Sequence, residues 1–217
     1  GNKTASLSVF TSNGCNYIVS KPNYIRVGDA INLDLGLEDT VFCVGDSIRL
    51  SQIPTLKGGT TNWYLSGTSD TLQNISNYSS LVIPKETGNL TVRLVHNFNN
   101  CVSQKVYKDT IKVRGVKADF QSNDRYHCEV PHTVHLQNTT DKMDAQSVSY
   151  TWVIIENGEI KNTSNNENDS FTFYKLPASY DVQLIAVGDN GCLDSVTRLN
   201  YVYQDSLKLD FEALPKI

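Results

Sequence analysis

Three observations predict an all-β chain built from tandem β-sandwiches. Serine, threonine, asparagine, tyrosine and valine are abundant, and these residues favour strands and turns over helices. Apolar and polar residues alternate along several stretches, as they do in strands with one buried face. A short segment that ends in cysteine occurs three times. With 217 residues, the chain has room for two domains of ordinary size.

The recurring segment combines an apolar strand, a polar turn and a cysteine. It ends at Cys15, Cys101 and Cys192, so these cysteines are 86 and then 91 residues apart. A second landmark is an apolar-Asp-apolar step that marks a first strand. It occurs at intervals of 85 and then 91 residues, at Leu33–Leu35, Ala118–Phe120 and Leu209–Phe211. Two independent landmarks with nearly the same spacing predict an internal repeat.

This period divides the chain into two complete repeats with partial repeats at both ends. The complete repeats span residues 30–114 and 115–205. Residues 1–29 are expected to form the C-terminal hairpin of a truncated preceding repeat. Residues 206–217 are expected to form the first strand of a truncated following one.

The odd number of cysteines follows from the same division. Each complete repeat contains one cysteine near its start and one after its late hairpin, which predicts one disulfide per repeat: Cys43–Cys101 and Cys128–Cys192. Cys15 is then unpaired, because its partner belongs to the missing part of the preceding repeat. Such bonds indicate an oxidising compartment outside the cytoplasm.

Within each repeat, period-two patterns and tryptophans predict a sandwich of about seven strands. After a turn at Pro177, the even-numbered positions 180–186 are all apolar (Tyr, Val, Leu, Ala), and they alternate with the mixed set Asp181, Gln183, Ile185 and Val187. Trp63 and Trp152 follow the opening cysteines by 20 and 24 residues, where a third strand is expected to place a core aromatic.

The late strands of the second repeat resemble a known family. The stretch 171–192, with its aromatic strand, proline turn and Tyr-x-Val-x-Leu before Gly-Cys, looks like the end of a polycystic-kidney-disease (PKD) type domain. The stretch 39–50 is similar to the starts of Ig-like and PKD-like repeats in large Bacteroidetes surface proteins, including gliding adhesins. The family's Trp-Asp-Phe-Gly-Asp-Gly motif is absent, because Trp152 is followed by Val-Ile-Ile-Glu. The resemblance implies immunoglobulin-like sandwiches that serve cell-surface adhesion or gliding motility.

No metal and no cofactor are expected. The histidines and cysteine at positions 127, 128, 132 and 135 suggest zinc, but a strand would place His132 and His135 on opposite faces, and Cys128 is assigned to a disulfide. Calcium is a weak alternative at Asp34, Glu38 and Asp39. A strand-edge role explains Asp34 without an ion, because the same aspartate recurs in the other repeats.

One pattern is typical of modification. Asp followed by Ser or Thr and an aliphatic residue resembles the O-glycosylation acceptor of Bacteroidetes surface proteins, and it occurs at Thr40, Ser47, Thr71, Thr110, Ser195 and Ser206. Ordinary turn chemistry at the start of a strand explains the same pattern equally well.

The sequence therefore predicts a non-catalytic repeat segment of a secreted cell-surface adhesin or filament. No phosphate-binding glycine loop, nucleophile elbow or zinc-protease motif is present. The expected partners are neighbouring repeats, with surface polysaccharide or another surface protein as further candidates. Nucleic acid and membrane insertion are not expected, because the chain carries a net charge of −4 and lacks a long apolar run. A carbohydrate- or protein-binding module, or an accessory region of a secreted hydrolase, is the alternative function.

Overall fold

The computed structural model describes residues 1–26, 31–56, 58–67, 71–76, 78–98 and 101–206, and every regular element in these ranges is a β-strand. The strands form an N-terminal hairpin and two pairs of sheets. The described ranges contain no helix that is long and apolar enough to cross a membrane.

The N-terminal hairpin consists of β1 (Asn2–Phe10) and β2 (Asn16–Arg26), paired antiparallel. Leu7 lies opposite Val19 and Val9 lies opposite Tyr17, so these four apolar side chains share one face. All four are exposed, by 42% to 72%. A two-stranded hairpin is at best marginally stable in water, and the contact of its apolar face with water makes it less stable still.

The first sandwich pairs two four-stranded sheets, ordered β3-β5-β8-β7 and β4-β10-β9-β6. Its strands are β3 (Asp34–Gly36), β4 (Val41–Cys43), β5 (Ile48–Ile53), β6 (Thr60–Ser66), β7 (Thr71–Ser76), β8 (Ser79–Ile83), β9 (Gly88–Phe98) and β10 (Cys101–Arg114). Its core combines side chains from both sheets, such as Ile48, Leu50 and Val82 from one and Leu90, Val92 and Leu94 from the other.

The second sandwich pairs a three-stranded sheet, β11-β13-β16, with a five-stranded sheet, β12-β18-β17-β14-β15. Its strands are β11 (Phe120–Gln121), β12 (Tyr126–His127), β13 (His132–Asn138), β14 (Val148–Glu156), β15 (Glu159–Ser164), β16 (Asp169–Phe173), β17 (Ala178–Gly188) and β18 (Leu193–Gln204). Its separate core includes Phe120, Val134, Phe171, Val182, Leu184 and Val202.

The core positions that the sequence predicts are confirmed. Trp63 on β6 and Trp152 on β14 are buried in the first and second core, with 4% and 0% exposed. Along β17, Tyr180, Val182 and Leu184 are buried while the residues between them are half-buried. A strand presents alternate residues to opposite faces, so this pattern places one face of β17 against the opposing sheet.

Both sandwiches have the strand arrangement of an immunoglobulin-like fold. A short early strand crosses over to the other sheet and pairs parallel with the last strand, β4 with β10 and β12 with β18. All other pairings within the two sandwiches are antiparallel. The predicted fold class, all-β with immunoglobulin-like sandwiches, is confirmed. The expectation of one disulfide per repeat is wrong, because the disulfide bond joins Cys43 of the first sandwich to Cys192 of the second.

Candidate functional site: the cross-linked junction

The junction between the two sandwiches has a very short connection. Val113 belongs to the first core and Val116 to the second, with 1% and 6% exposed. Gly115 lies between them and is tightly enclosed. A Cβ atom at Gly115 would lie 2.7 Å from Met143 Sδ and 3.0 Å from Val44 Cγ2. A side chain here would require Met143 and Val44 to shift, so the close packing of side chains from both sandwiches favours glycine.

A polar network holds the backbone of Gly115. Its N–H donates to Asp144 Oδ1 at 2.8 Å, and Asn190 Nδ2 donates to its carbonyl oxygen at 2.9 Å. Asn190 also donates to Asp144 Oδ1 at 2.8 Å, which closes the network. Two loops of the second sandwich thus bind the connecting residue through hydrogen bonds, one of which involves a charged acceptor.

A disulfide bond between Cys43 and Cys192 cross-links the junction. The Cα atoms of the two residues are 5.7 Å apart, within the range that a disulfide requires. Cys43 ends β4 in the first sandwich, yet its side chain packs against the core of the second. Cys192 lies in the turn before β18 and is 2% exposed. The bond therefore spans the boundary between the two cores.

The predicted Cys43–Cys101 bond is wrong because the two residues lie at opposite ends of β10. Cys101 is the first residue of β10, whereas Cys43 pairs with Arg114, its last residue. A strand of 14 residues spans roughly 40 Å at about 3.3 Å per residue. No disulfide can bridge that distance.

The predicted Cys128–Cys192 bond is wrong for the same reason. Cys192 precedes the first residue of β18, and Cys128 follows His127, which pairs with Gln204 at the end of β18. Cys15, Cys101 and Cys128 are all free and exposed, so the chain has three free thiols where one was expected.

The turn at Cys15 has the same hydrogen bonds as the turn at Cys192. In the first, Thr11 N donates to Cys15 O and Gly14 N donates to Thr11 O, both at 3.0 Å. In the second, Gly188 N donates to Cys192 O at 2.8 Å and Gly191 N donates to Gly188 O at 3.1 Å. The glycine before each cysteine has a positive φ, 83° and 88°. The two cysteines therefore occupy equivalent positions in equivalent hairpins.

The weak calcium candidates are not brought together. Asp34 Oδ1 accepts hydrogen bonds from Tyr107 Oη at 2.6 Å and Lys105 Nζ at 3.2 Å. Asp39 Oδ1 instead accepts from the backbone N–H of the two residues that follow it, and Glu38 is exposed. Within the described ranges, these three carboxylates do not form a group that can hold a metal ion.

The contacts of Asp34 recur at Asp119. Each carboxylate accepts a hydrogen bond from the next backbone N–H and from a cation on the last strand, Lys105 for Asp34 and Arg198 for Asp119. Hydrogen bonds lower the pKa of Asp34 from 3.8 to about 2; the bond from Tyr107 has the largest effect and the bond from Lys105 the next largest. This is the shared strand-edge role that the repeated aspartate predicts, while Asp210 lies outside the described residues.

The histidines are placed as the strand pattern predicts. His132 is buried and His135 is exposed on β13, where His135 Nδ1 lies 2.6 Å from Ser170 Oγ. The assignment of Cys128 to a bond with Cys192, which removed it from consideration as a metal ligand, is wrong, because Cys192 is bonded to Cys43.

The candidate glycosylation residues differ in exposure. Thr110 is half-buried on β10, and Thr71 begins β7. Among the five whose exposure the structure describes, four are exposed, as an acceptor hydroxyl must be: Thr40, Ser47, Ser195 and Ser206.

Sequence reasoning missed the residues that build the junction. Gly115, Asp144 and Asn190 belong to no recognised motif, and Asp144 and Asn190 are distant from Gly115 in the chain. The one available signal was Gly115 at the predicted boundary between repeats, where a position without a side chain permits close packing.

The chain matches no protein-family model and no curated protein. Among solved structures, it is similar to the N-terminal eight Ig domains of Down Syndrome Cell Adhesion Molecule isoform 1.30.30, with a TM-score of 0.40 and 13% identity over 95% of this chain. It spans 28% of that structure's length. Fibronectin(III)-like modules of Clostridium thermocellum CbhA match with a TM-score of 0.29 and 15% identity, covering 83% of this chain and 100% of theirs. Titin domains A168–A170 match with a TM-score of 0.29 and 12% identity, covering 92% of this chain and 75% of theirs. Scores this low carry no argument about function.

Proposed function

We propose that this chain is a non-catalytic repeat segment of a large secreted cell-surface adhesin or filament, in which it acts as a rigid, extended stalk. The observation that carries the proposal is the Cys43–Cys192 bond, which cross-links two sandwiches whose cores are separated by residues 114 and 115 alone. Domains within one chain usually move relative to each other unless their interface is large and apolar. A covalent bond across a short connection restricts that motion. Surface adhesion and gliding motility are the roles we propose for the stalk.

The proposed repeats are residues 30–114 and 115–205, with 1–29 as the last hairpin of a preceding repeat. The matching turns at Cys15 and Cys192 support this assignment, as does the exposed apolar face of the β1–β2 hairpin, which in the two sandwiches is covered by an opposing sheet. The proposed first strand of a following repeat, 206–217, lies outside the described residues beyond Ser206.

The repeat assignment also explains the three free thiols. Cys128 follows β12 as Cys43 ends β4, and Cys15 occupies the same turn position as Cys192. If every junction has the same bond, Cys128 joins the turn cysteine of the following repeat. Cys101 and Cys15 then join cysteines of preceding repeats. The stalk would be cross-linked at each junction rather than within each repeat.

Peptide mapping of the parent protein, isolated without reduction, tests this arrangement. We expect Cys128 to be linked to a cysteine that follows residue 217 in the chain. If Cys128 in the parent protein reacts with an alkylating reagent before any reduction, the proposed series of bonds is wrong.

Rigidity can be tested with spin labels on two native cysteines. Cys101 and Cys128 are free and exposed, and they lie at the ends of the first and second sandwich that face away from the junction. In a Cys15→Ser background, electron-electron resonance should give a narrow distribution of label distances. When Cys43→Ser and Cys192→Ser are added to remove the disulfide bond, the distribution of label distances should become broader. Equally broad distributions in both backgrounds would contradict the rigid stalk.

The proposed location is extracellular, at the cell surface, since a structural disulfide persists in oxidising compartments. Neighbouring repeats are the proposed partners. A glycan-array screen of this chain separates the stalk from the alternative of a carbohydrate-binding module, because a reproducible sugar ligand would favour the latter.

The intact mass of the protein from its native host tests O-glycosylation at the exposed residues Thr40, Ser47, Ser195 and Ser206.

A further inference from the structure

Three metal-ligating side chains converge at one end of the second sandwich. His127 ends β12, His132 begins β13, and Asp124 lies in the loop before β12. Their ligand atoms all lie within 4.8 Å of one another. Because His127 pairs with Gln204 at the end of β18, the cluster is at the end where the chain leaves the second sandwich.

His132 is buried with an unsatisfied nitrogen. Its side chain is 9% exposed, and its Nε2 is buried without a hydrogen-bond partner, 3.4 Å from Asp124 Oδ2. A buried polar atom without a partner destabilises the folded state, because it has lost its hydrogen bonds to water. A metal ion coordinated by Nε2 would remove this destabilisation.

The surroundings of His132 supply a second imidazole. The rings of His127 and His132 are stacked with centroids 3.8 Å apart and planes at 17°. Gln204, the register partner of His127, is completely buried, and neither polar atom of its side chain has a hydrogen-bond partner. Unsatisfied polar groups therefore collect at this end of the core, between the two sheets.

We propose that Asp124, His127 and His132 bind one divalent transition-metal ion of the zinc class. Two imidazole nitrogens and one carboxylate oxygen suit zinc, whereas calcium and magnesium prefer oxygen ligands alone. Three protein ligands leave one tetrahedral position open, at the end of the sandwich where the chain continues.

To accept the ion, the His127 ring must turn out of its stack on His132, because the nitrogen lone pairs lie in the ring planes and two stacked rings point them in parallel directions. Ligand atoms about 2.0–2.1 Å from zinc are roughly 3.4 Å apart in a tetrahedral site. The present separations of up to 4.8 Å must therefore shorten by up to about 1.4 Å. Asp124 is 62% exposed and His127 is half-buried, so the Asp124 side chain can approach and the His127 ring can rotate while the buried His132 stays in place.

Isothermal titration with zinc chloride tests the site. The measurement uses the full chain with Cys15, Cys101 and Cys128 changed to serine, because free thiols bind zinc themselves, while the Cys43–Cys192 bond is kept. We expect one equivalent of zinc to bind. Asp124→Asn and His127→Gln should each weaken binding at least tenfold, and neither changes a fully buried residue. His135→Gln is the matched control and should leave the affinity unchanged, because His135 lies on the opposite face of β13.

Two results would overturn the proposal. One is equal zinc affinity in the His127→Gln variant and its background; the other is a loss in the His135→Gln variant as large as in the His127→Gln variant. Nitrogen-15 NMR of the imidazoles provides a readout that does not depend on a buried substitution. The His132 Nε2 resonance should shift on addition of one equivalent of zinc, and an unchanged resonance would exclude His132 as a ligand.

Discussion

At the scale of single residues, an exposed carboxylate at the edge of each sandwich is bound by groups from the last strand. Asp34 accepts from Tyr107 and Lys105 of β10, and Asp119 accepts from Arg198 of β18. These contacts connect the start of each sandwich to its last strand. Exposed ion pairs contribute little to the free energy of unfolding. The hydrogen bond from the Tyr107 hydroxyl to Asp34 is therefore the contact chosen for a test.

The first prediction concerns the pKa of Asp34. It lies at about 2, below the ordinary value of 3.8, and the Tyr107 hydrogen bond is the largest cause. Because folding lowers this pKa, the carboxylate's contribution to stability is fully present above the unfolded value. That contribution is lost as the pH falls through about 2. NMR titration of the Asp34 carboxyl should give this midpoint, and Tyr107→Phe should raise it toward 3.8. An unchanged midpoint in Tyr107→Phe would show that the hydroxyl does not hold the carboxylate.

At the scale of elements, the strands are joined by turns that need glycine for two different reasons. Asn157 and Gly158 both have positive φ, 53° and 81°, and form the two-residue turn between β14 and β15. A Cβ at Gly158 would meet nothing within 4 Å. At Gly67, after β6, φ is 123° and a Cβ would lie 2.1 Å from the backbone oxygen of Asn89. Both glycines are favoured by their positive φ, but only Gly67 is also required by the packing of neighbouring strands.

The second prediction compares alanine at these two positions. Gly158→Ala should cost the second sandwich about 1 kcal/mol, since alanine tolerates a positive φ at modest cost. Gly67→Ala should cost the first sandwich roughly 2–4 kcal/mol, because β6 and β9 must also separate to relieve the clash with Asn89. Urea unfolding, followed separately for each sandwich, provides the measurement. Equal losses of unfolding free energy would mean that β6 and β9 separate to admit the alanine side chain without destabilising the sandwich.

At the scale of the whole molecule, the cross-linked junction determines how the two sandwiches are coupled. The Cys43–Cys192 bond closes a loop that spans 149 residues of sequence. In the chain-entropy account, which is model-dependent, a loop of this length is worth about 5 kcal/mol. In this account the bond acts by restricting the unfolded chain. Because its two cysteines lie on different sandwiches, the bond also couples the unfolding of one sandwich to that of the other.

The third prediction is a count of thiols and a linked peptide. Denatured, unreduced chain should react with three equivalents of a thiol reagent, at Cys15, Cys101 and Cys128. Peptide mapping without reduction should recover Cys43 joined to Cys192. A single reactive thiol, together with a Cys43–Cys101 peptide, would instead indicate bonds within each repeat.

The fourth prediction is that removing the bond uncouples the sandwiches. With Cys43→Ser and Cys192→Ser, urea unfolding followed by NMR signals from each core should show two separate transitions. In the unmutated chain of 217 residues, the transitions of the two cores should lie closer together in urea concentration. Coincident transitions in both proteins would assign the coupling to the Gly115, Asp144 and Asn190 contacts rather than to the disulfide.

Local patterns in the sequence determined the fold class and the core of this protein. The alternation along β17, the tryptophans of the third strands and the glycine turns are visible within a few residues, because side-chain direction in a strand repeats every two residues. The strand-edge role of Asp34 was also predictable, since the same residue recurs in the next repeat.

Only the tertiary structure decided the partners of the cysteines and histidines. Cys43 meets Cys192 because β4 runs parallel to β10 and ends beside its last residue, at the boundary with the second sandwich. Asp124, His127 and His132 meet because β12 ends, and β13 of the opposite sheet begins, at the same level of the sandwich. The meeting of Cys43 and Cys192 depends on pairing between residues far apart in the chain, and such pairing leaves no local pattern. The histidines are neighbours in the sequence, but the level at which β12 and β13 lie decides which of them share a site. The sequence thus determined which residues face the core, and the packing of the sheets decided which of them meet.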